Sequence, residues 1–138
     1  MRFMVIVKAT EDSEKGAMPS TDMLEAMGAY NEELVKAGVM LDGDGLRPSS
    51  YGARVRFDEK GTATVIDGPF TETKELVSGY WVFEVSSKEE AVEWAKRAPG
   101  TGPGFKTEIR RVSSIDEFPQ DNPWIQKERA WREATGQL

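Results

Sequence analysis

The chain is 138 residues long, the size of one ordinary domain, and its 38% hydrophobic and 30% charged content describes a globular protein with a packed core. A net charge of −6 excludes a nucleic-acid surface, because phosphate binding needs clustered Lys and Arg. With neither Cys nor His, disulfides, thiolate chemistry, cysteine-ligated metals and the commonest neutral-pH base are all absent, leaving carboxylates, Lys, Tyr and Arg for any reaction.

Residues 2 to 8 form an apolar, β-branched run, which predicts a central strand covered on both faces. The run turns charged at Lys8, too early for a signal peptide or membrane span, so the expected location is the cytoplasm with no membrane partner. Residues 9 to 19 read as a polar loop, a lid or a connector. Ser20, Thr21 and Asp22 can cap a helix over residues 22 to 37, in which Met23, Met27, Tyr30 and Leu34 form one apolar stripe ending near Gly38. Val39-Met40-Leu41 starts a strand that runs into the turn-rich Asp42-Gly43-Asp44-Gly45-Leu46-Arg47-Pro48. Ala53 to Phe57 and Thr62 to Ile66 alternate and are joined by Asp58-Glu59-Lys60-Gly61, a hairpin.

After Asp67-Gly68-Pro69-Phe70 and the polar Thr71 to Glu75, residues 79 to 85 make a second covered strand. Ser87-Lys88-Glu89-Glu90 is a capping box, opening a helix with Ala91, Trp94, Ala95 and Ala98 on one face and a stop at Pro99-Gly100. Gly100, Gly102 and Gly104 lack the Lys-Ser/Thr pair of a phosphate loop and read as a mobile connector. Residues 106 to 112 supply the last strand. From residue 113 the character changes: Asn122 caps a helix with Pro123 in its first turn, and Trp124 and Trp131 lie seven apart, expected to anchor this tail on the domain or a dimer mate.

The order is that of an α+β, ferredoxin-like domain over residues 1 to 112 with an extra central hairpin, followed by a helical tail over 113 to 138. Two helices cover only one face of such a sheet, so the other is expected to pack against a second copy, making a homodimer.

The composite DGPFTETKELVSGYWVFEV, residues 67 to 85, resembles the YCII-related family, also described by its Asp-Gly-Pro-Phe signature, and the resemblance extends over residues 1 to 112. It implies a ferredoxin-like fold pairing as a dimeric α+β barrel. Some members resemble small-molecule enzymes, a dehydrochlorinase of a chlorinated hydroxyquinol among them, and some accompany sigma factors. The enzyme-like branch pairs a His with an Asp; the Asp carries over to Asp67, and the His has no counterpart here.

Asp67 is therefore the candidate catalytic carboxylate, open to activation by burial. Its other reading is turn chemistry, since Asp, Gly and Pro each favour a turn. Arg54, Glu72, Lys74 and Tyr80 are the candidate ligand-binding residues: Lys74 or Arg54 would hold an anionic group, and Tyr80 would line the pocket. Arg54 and Arg56 also fit an exposed hairpin face. Asp42 and Asp44 lack the distal Glu of a calcium loop, so no metal and no cofactor is assigned. The expectation is a homodimer binding a small anionic or aromatic ligand around Asp67. The alternatives are a lyase or isomerase-type enzyme with Asp67 as acid/base, and a purely structural dimer.

Overall fold

Alternation along the first strand decides how the chain layers. In the computed structural model, which describes residues 1–100 and 104–138, β1 (Arg2–Lys8) buries Phe3 and Val5 on one face and half-covers Met4 and Ile6 on the other. The middle of the glycine connector, Gly102 included, lies outside the described residues. After β1 come α1 (Glu11–Glu14), α2 (Thr21–Lys36), β2 (Met40–Gly45), β3 (Ala53–Phe57), β4 (Ala63–Asp67), β5 (Val77–Glu84), α3 (Lys88–Lys96), β6 (Thr107–Arg111) and α4 (Pro123–Ala134).

Four strands form one antiparallel sheet in the order β2-β5-β1-β6, the ferredoxin-like arrangement with β1 and β5 central. Among the described residues β3 and β4 pair only with each other, in a separate two-stranded hairpin. The core gathers Phe3, Val5, Tyr30, Leu34, Val39, Trp81, Phe83, Val85 and Ala91, with α2 and α3 on the same side of the sheet. Phe83, Leu34 and Val5 are fully buried, each contributing roughly 1.5–3 kcal/mol by removal from water. Tyr30 Oη donates to the Trp94 carbonyl at 2.6 Å, tying α2 to α3, and burial pushes its phenol up from 10.0 to about 12.

Several boundaries differ from expectation for local reasons. Residues 9 to 19 contain the short α1, closed by a reciprocal pair in which Thr10 Oγ1 accepts from Ser13 N and Ser13 Oγ accepts from Thr10 N. β2 continues through its glycines to Gly45, because Gly43 faces Trp81: a Cβ there would lie 2.9 Å from Trp81 Cδ1 and 2.9 Å from Met40 Cε. At α3, Ser87 caps as expected, while the Glu90 carboxylate accepts from Ser86 N and Oγ one residue earlier, and those bonds lower its pKa.

The tail forms the expected helix, with Asn122 Oδ1 accepting from Trp124 N at 2.9 Å. Its tryptophans do not anchor it to its own domain, for Trp124 is 73% and Trp131 55% exposed. Buried Ile115 and the ion pair of Arg111 with Glu117 hold it instead. Among the described residues no helix is long and apolar enough to cross a membrane.

Candidate functional site

The apolar stripe of α2 divides along its length. Tyr30 and Leu34 enter the core, whereas Met23 and Met27, nearer the amino end, line a cavity of about 600 Å³ between α2, β2 and β5. Met18 and Met40 join them, so four of the six methionines in the chain face this space. Trp81, Tyr51 and Phe105 add aromatic surface, and Pro19, Pro48 and Pro99 add rigid apolar edges. Thioether and aromatic walls are soft and polarizable, and they suit an apolar or aromatic guest.

Polar groups enter at few points. Asn31 lies on the wall, its Oδ1 accepting from Trp81 Nε1 at 2.9 Å, and Trp81 in turn meets Tyr30 edge-on at a centroid distance of 5.5 Å. Lys8 lines the cavity with its ammonium 3.8 Å from Glu108, and Arg47 stacks its guanidinium 4.6 Å over the Tyr51 ring. The space is thus mostly apolar with a few placed donors, the usual make-up of a small-molecule site.

Of the candidate site residues named from sequence, Tyr80 is the one that borders this cavity, and it does so along its strand rather than with its ring. Its phenol is set by strand alternation on the opposite sheet face, paired with Ile6 and Asp44. There its hydroxyl stands 3.5 Å from both Asp42 and Asp44, whose charges raise its pKa, Asp42 foremost. Asp67 closes β4 and is exposed, opposite Ala53 and on the same face as Val55 and Val65. Arg54 is exposed and lies over the Phe70 ring at 3.9 Å. Glu72 and Lys74 are exposed as well. Asp67, Arg54, Glu72 and Lys74 are therefore not brought together around the cavity.

What the signature segment does is hold one cavity wall. Gly68 passes so close to the turn at residues 49 to 51 that a Cβ would lie 1.8 Å from the Ser49 carbonyl oxygen. Gly68 N donates to Gly52 O at 3.0 Å, and after a cis Gly68–Pro69 peptide, Phe70 N donates to Ser49 Oγ at 3.0 Å. Ser49 Oγ in turn donates to the Glu14 carboxylate at 2.6 Å, which also accepts from Ser49 N at 3.1 Å. One hydroxyl thus joins the signature, the turn carrying Pro48 and Tyr51, and α1. A hydroxyl can accept and donate at once, which is why Ser suits the position.

A second cleft, of about 950 Å³, runs between the end of the tail and the open sheet face, with Arg2, Leu41, Val82 and Leu138 along it. It is the less convincing small-molecule site: Arg129 and Arg132 in its wall are tied to Asp116 and Glu128, and Arg2, Asp42, Glu84 and Arg111 make its lining more charged than that of the first cavity.

Comparison with known proteins gives three results. The YCII-related domain family matches residues 1–115. An uncharacterised protein of Rhizobium meliloti (strain 1021) is 30% identical over 81 residues, 59% of this chain, and the match spans 64% of that relative, a little under two thirds of its length. Among solved structures, 5-chloro-2-hydroxyhydroquinone dehydrochlorinase from Burkholderia phenoliruptrix AC1100, in complex with 2,5-dihydroxybenzoquinone, superposes with a TM-score of 0.41 at 18% identity, covering 82% of this chain and 94% of that one.

Proposed function

We propose that this chain, which belongs to the YCII-related family, is a small-molecule-binding homodimer whose ligand occupies the cavity walled by Met23, Met27, Met40 and Trp81. The observation that carries the reading is the character of that cavity: roomy, apolar and aromatic, with few polar groups, and braced by the signature turn through Ser49. In this reading the Asp-Gly-Pro-Phe segment serves the ligand indirectly, by fixing the wall that carries Pro48 and Tyr51.

Self-association is supported by two surfaces. Met4, Ile6 and Val82 alternate onto the sheet face away from α2 and α3, and Leu41 beside them is 53% exposed. The hairpin presents Val55, Phe57 and Val65 at 56%, 66% and 65% exposure on one face. A two-stranded hairpin is marginal in water. A second copy, symmetric by default, is the occupant that covers both faces reciprocally.

The test is a titration of full-length protein labelled at its methionine methyls with small aromatic probes, followed by NMR. Met23, Met27 and Met40 are expected to shift, with Met1 and Met4 as internal controls. Shifts confined to the controls would sink the cavity reading.

One observation favours the enzyme alternative with Asp67 as acid/base: Asp67 shares the apolar hairpin face with Val55 and Val65. A partner laid there would take its carboxylate out of water, the condition such chemistry needs. Asp67→Asn separates the two readings, because it leaves ligand binding unchanged under both but stops conversion of a bound substrate, read as product formation, only under the second.

A further inference from the structure

The apolar cavity holds one polar group whose direction is fixed by its neighbour. An indole N–H can only donate, and Trp81 Nε1 donates to Asn31 Oδ1 at 2.9 Å. That bond decides which end of the carboxamide faces the indole, so the oxygen is committed and Nδ2 points elsewhere with two N–H groups. Among the described residues this is the one hydrogen bond that the Asn31 side chain makes. No buried side-chain nitrogen or oxygen there lacks a partner, so Nδ2 is in contact with open space, and Asn31 lines the cavity.

The donor is also held still. Trp81 is buried, packs edge-on against Tyr30 at 5.5 Å, and Tyr30 is itself tethered by its hydroxyl to the Trp94 carbonyl. A pre-positioned donor beside an apolar wall costs little ordering when a ligand arrives, and an unmatched amide would be desolvated without compensation. Both effects discriminate by the ligand's acceptor atoms rather than by its apolar bulk.

Resting on the cavity as the binding site, we infer that Asn31 is its specificity-determining residue. The ligand class is a planar apolar molecule bearing an acceptor oxygen, a carbonyl, phenolate or carboxylate, that receives an N–H from Asn31 Nδ2. Met27, Met40 and Trp81 hold the apolar body while Asn31 reads the oxygen.

The experiment uses two neutral probes of similar shape, 2-acetylnaphthalene and 2-ethylnaphthalene, with the full-length protein labelled at methionine methyls and at nitrogen. Both probes are expected to shift Met27 and Met40. The acetyl compound is expected to bind about fivefold more tightly, the worth of one hydrogen bond, and it alone should displace the Asn31 side-chain amide signals. Asn31→Asp keeps an oxygen for Trp81 Nε1 but has no donor, so the acetyl preference should vanish while 2-ethylnaphthalene still binds. Equal affinities in the unsubstituted protein, or an unmoved Asn31 amide when 2-acetylnaphthalene binds, overturn the role of Asn31 and leave the cavity reading standing. If neither probe moves the methionines, the cavity reading and this inference fall together.

Discussion

Gly68→Ala puts the brace on the cavity wall to a quantitative test. The new Cβ would lie 1.8 Å from Ser49 O and 2.6 Å from Ser49 C, both backbone atoms, so no side-chain rotation relieves the overlap. The segment must move apart, and overpacking of this kind costs about 1–3 kcal/mol. Separation also strains the Gly68 N to Gly52 O and Phe70 N to Ser49 Oγ bonds, both 3.0 Å, worth about 1 kcal/mol each. The expected loss is about 3–5 kcal/mol, against a total stability on the order of 5–15 kcal/mol. Asp67→Asn, one position earlier on an exposed side chain, is expected to change stability by less than about 0.5 kcal/mol. Urea unfolding at neutral pH measures both variants. A Gly68→Ala protein within about 1 kcal/mol of the unsubstituted one would refute the close packing of signature against turn, given the magnitudes above.

Ser49→Ala removes an acceptor from Phe70 N and a donor to the Glu14 carboxylate; a loss of about 2 kcal/mol in urea and a weaker affinity for 2-acetylnaphthalene are expected. Tyr30→Phe should cost about 1 kcal/mol by deleting the bond to the Trp94 carbonyl. Because the folded phenol titrates at about 12 and the unfolded one at 10.0, its protonated form stabilises the fold fully below pH 10. That contribution is lost as pH rises through the folded value, and alkaline unfolding of Tyr30→Phe should lack this component. Ile6→Glu on the open sheet face should yield a folded monomer by analytical ultracentrifugation where the unsubstituted chain sediments as a dimer; a monomer in both cases would remove the homodimer from the proposal.

Most of the fold was legible because its signals are local and mutually consistent. The run Phe3 to Val7, the Met23 to Leu34 stripe and Ser87 as a cap each led to an element where one now stands. The ferredoxin-like order followed from their succession. The site was much less legible. A methionine at helical spacing reads alike whether it faces core or cavity, so nothing marked Met23 and Met27 apart from Tyr30 and Leu34. Asn31 carried no signal at all, since its meaning comes from Trp81, fifty residues away in sequence. Charged residues next to the signature, Glu72 and Lys74, drew attention by type, yet both lie exposed. The signature itself was readable as turn chemistry, but its partner, Ser49, becomes visible only when the backbone brings the two segments together.

The most direct measurement is a crystal structure of the full-length protein with 2-acetylnaphthalene bound. The expected result is density for the probe between Met27, Met40 and Trp81, its carbonyl oxygen within hydrogen-bond distance of Asn31 Nδ2. Density at the hairpin beside Asp67 and Arg54, with the cavity free of the probe, would contradict the proposed site.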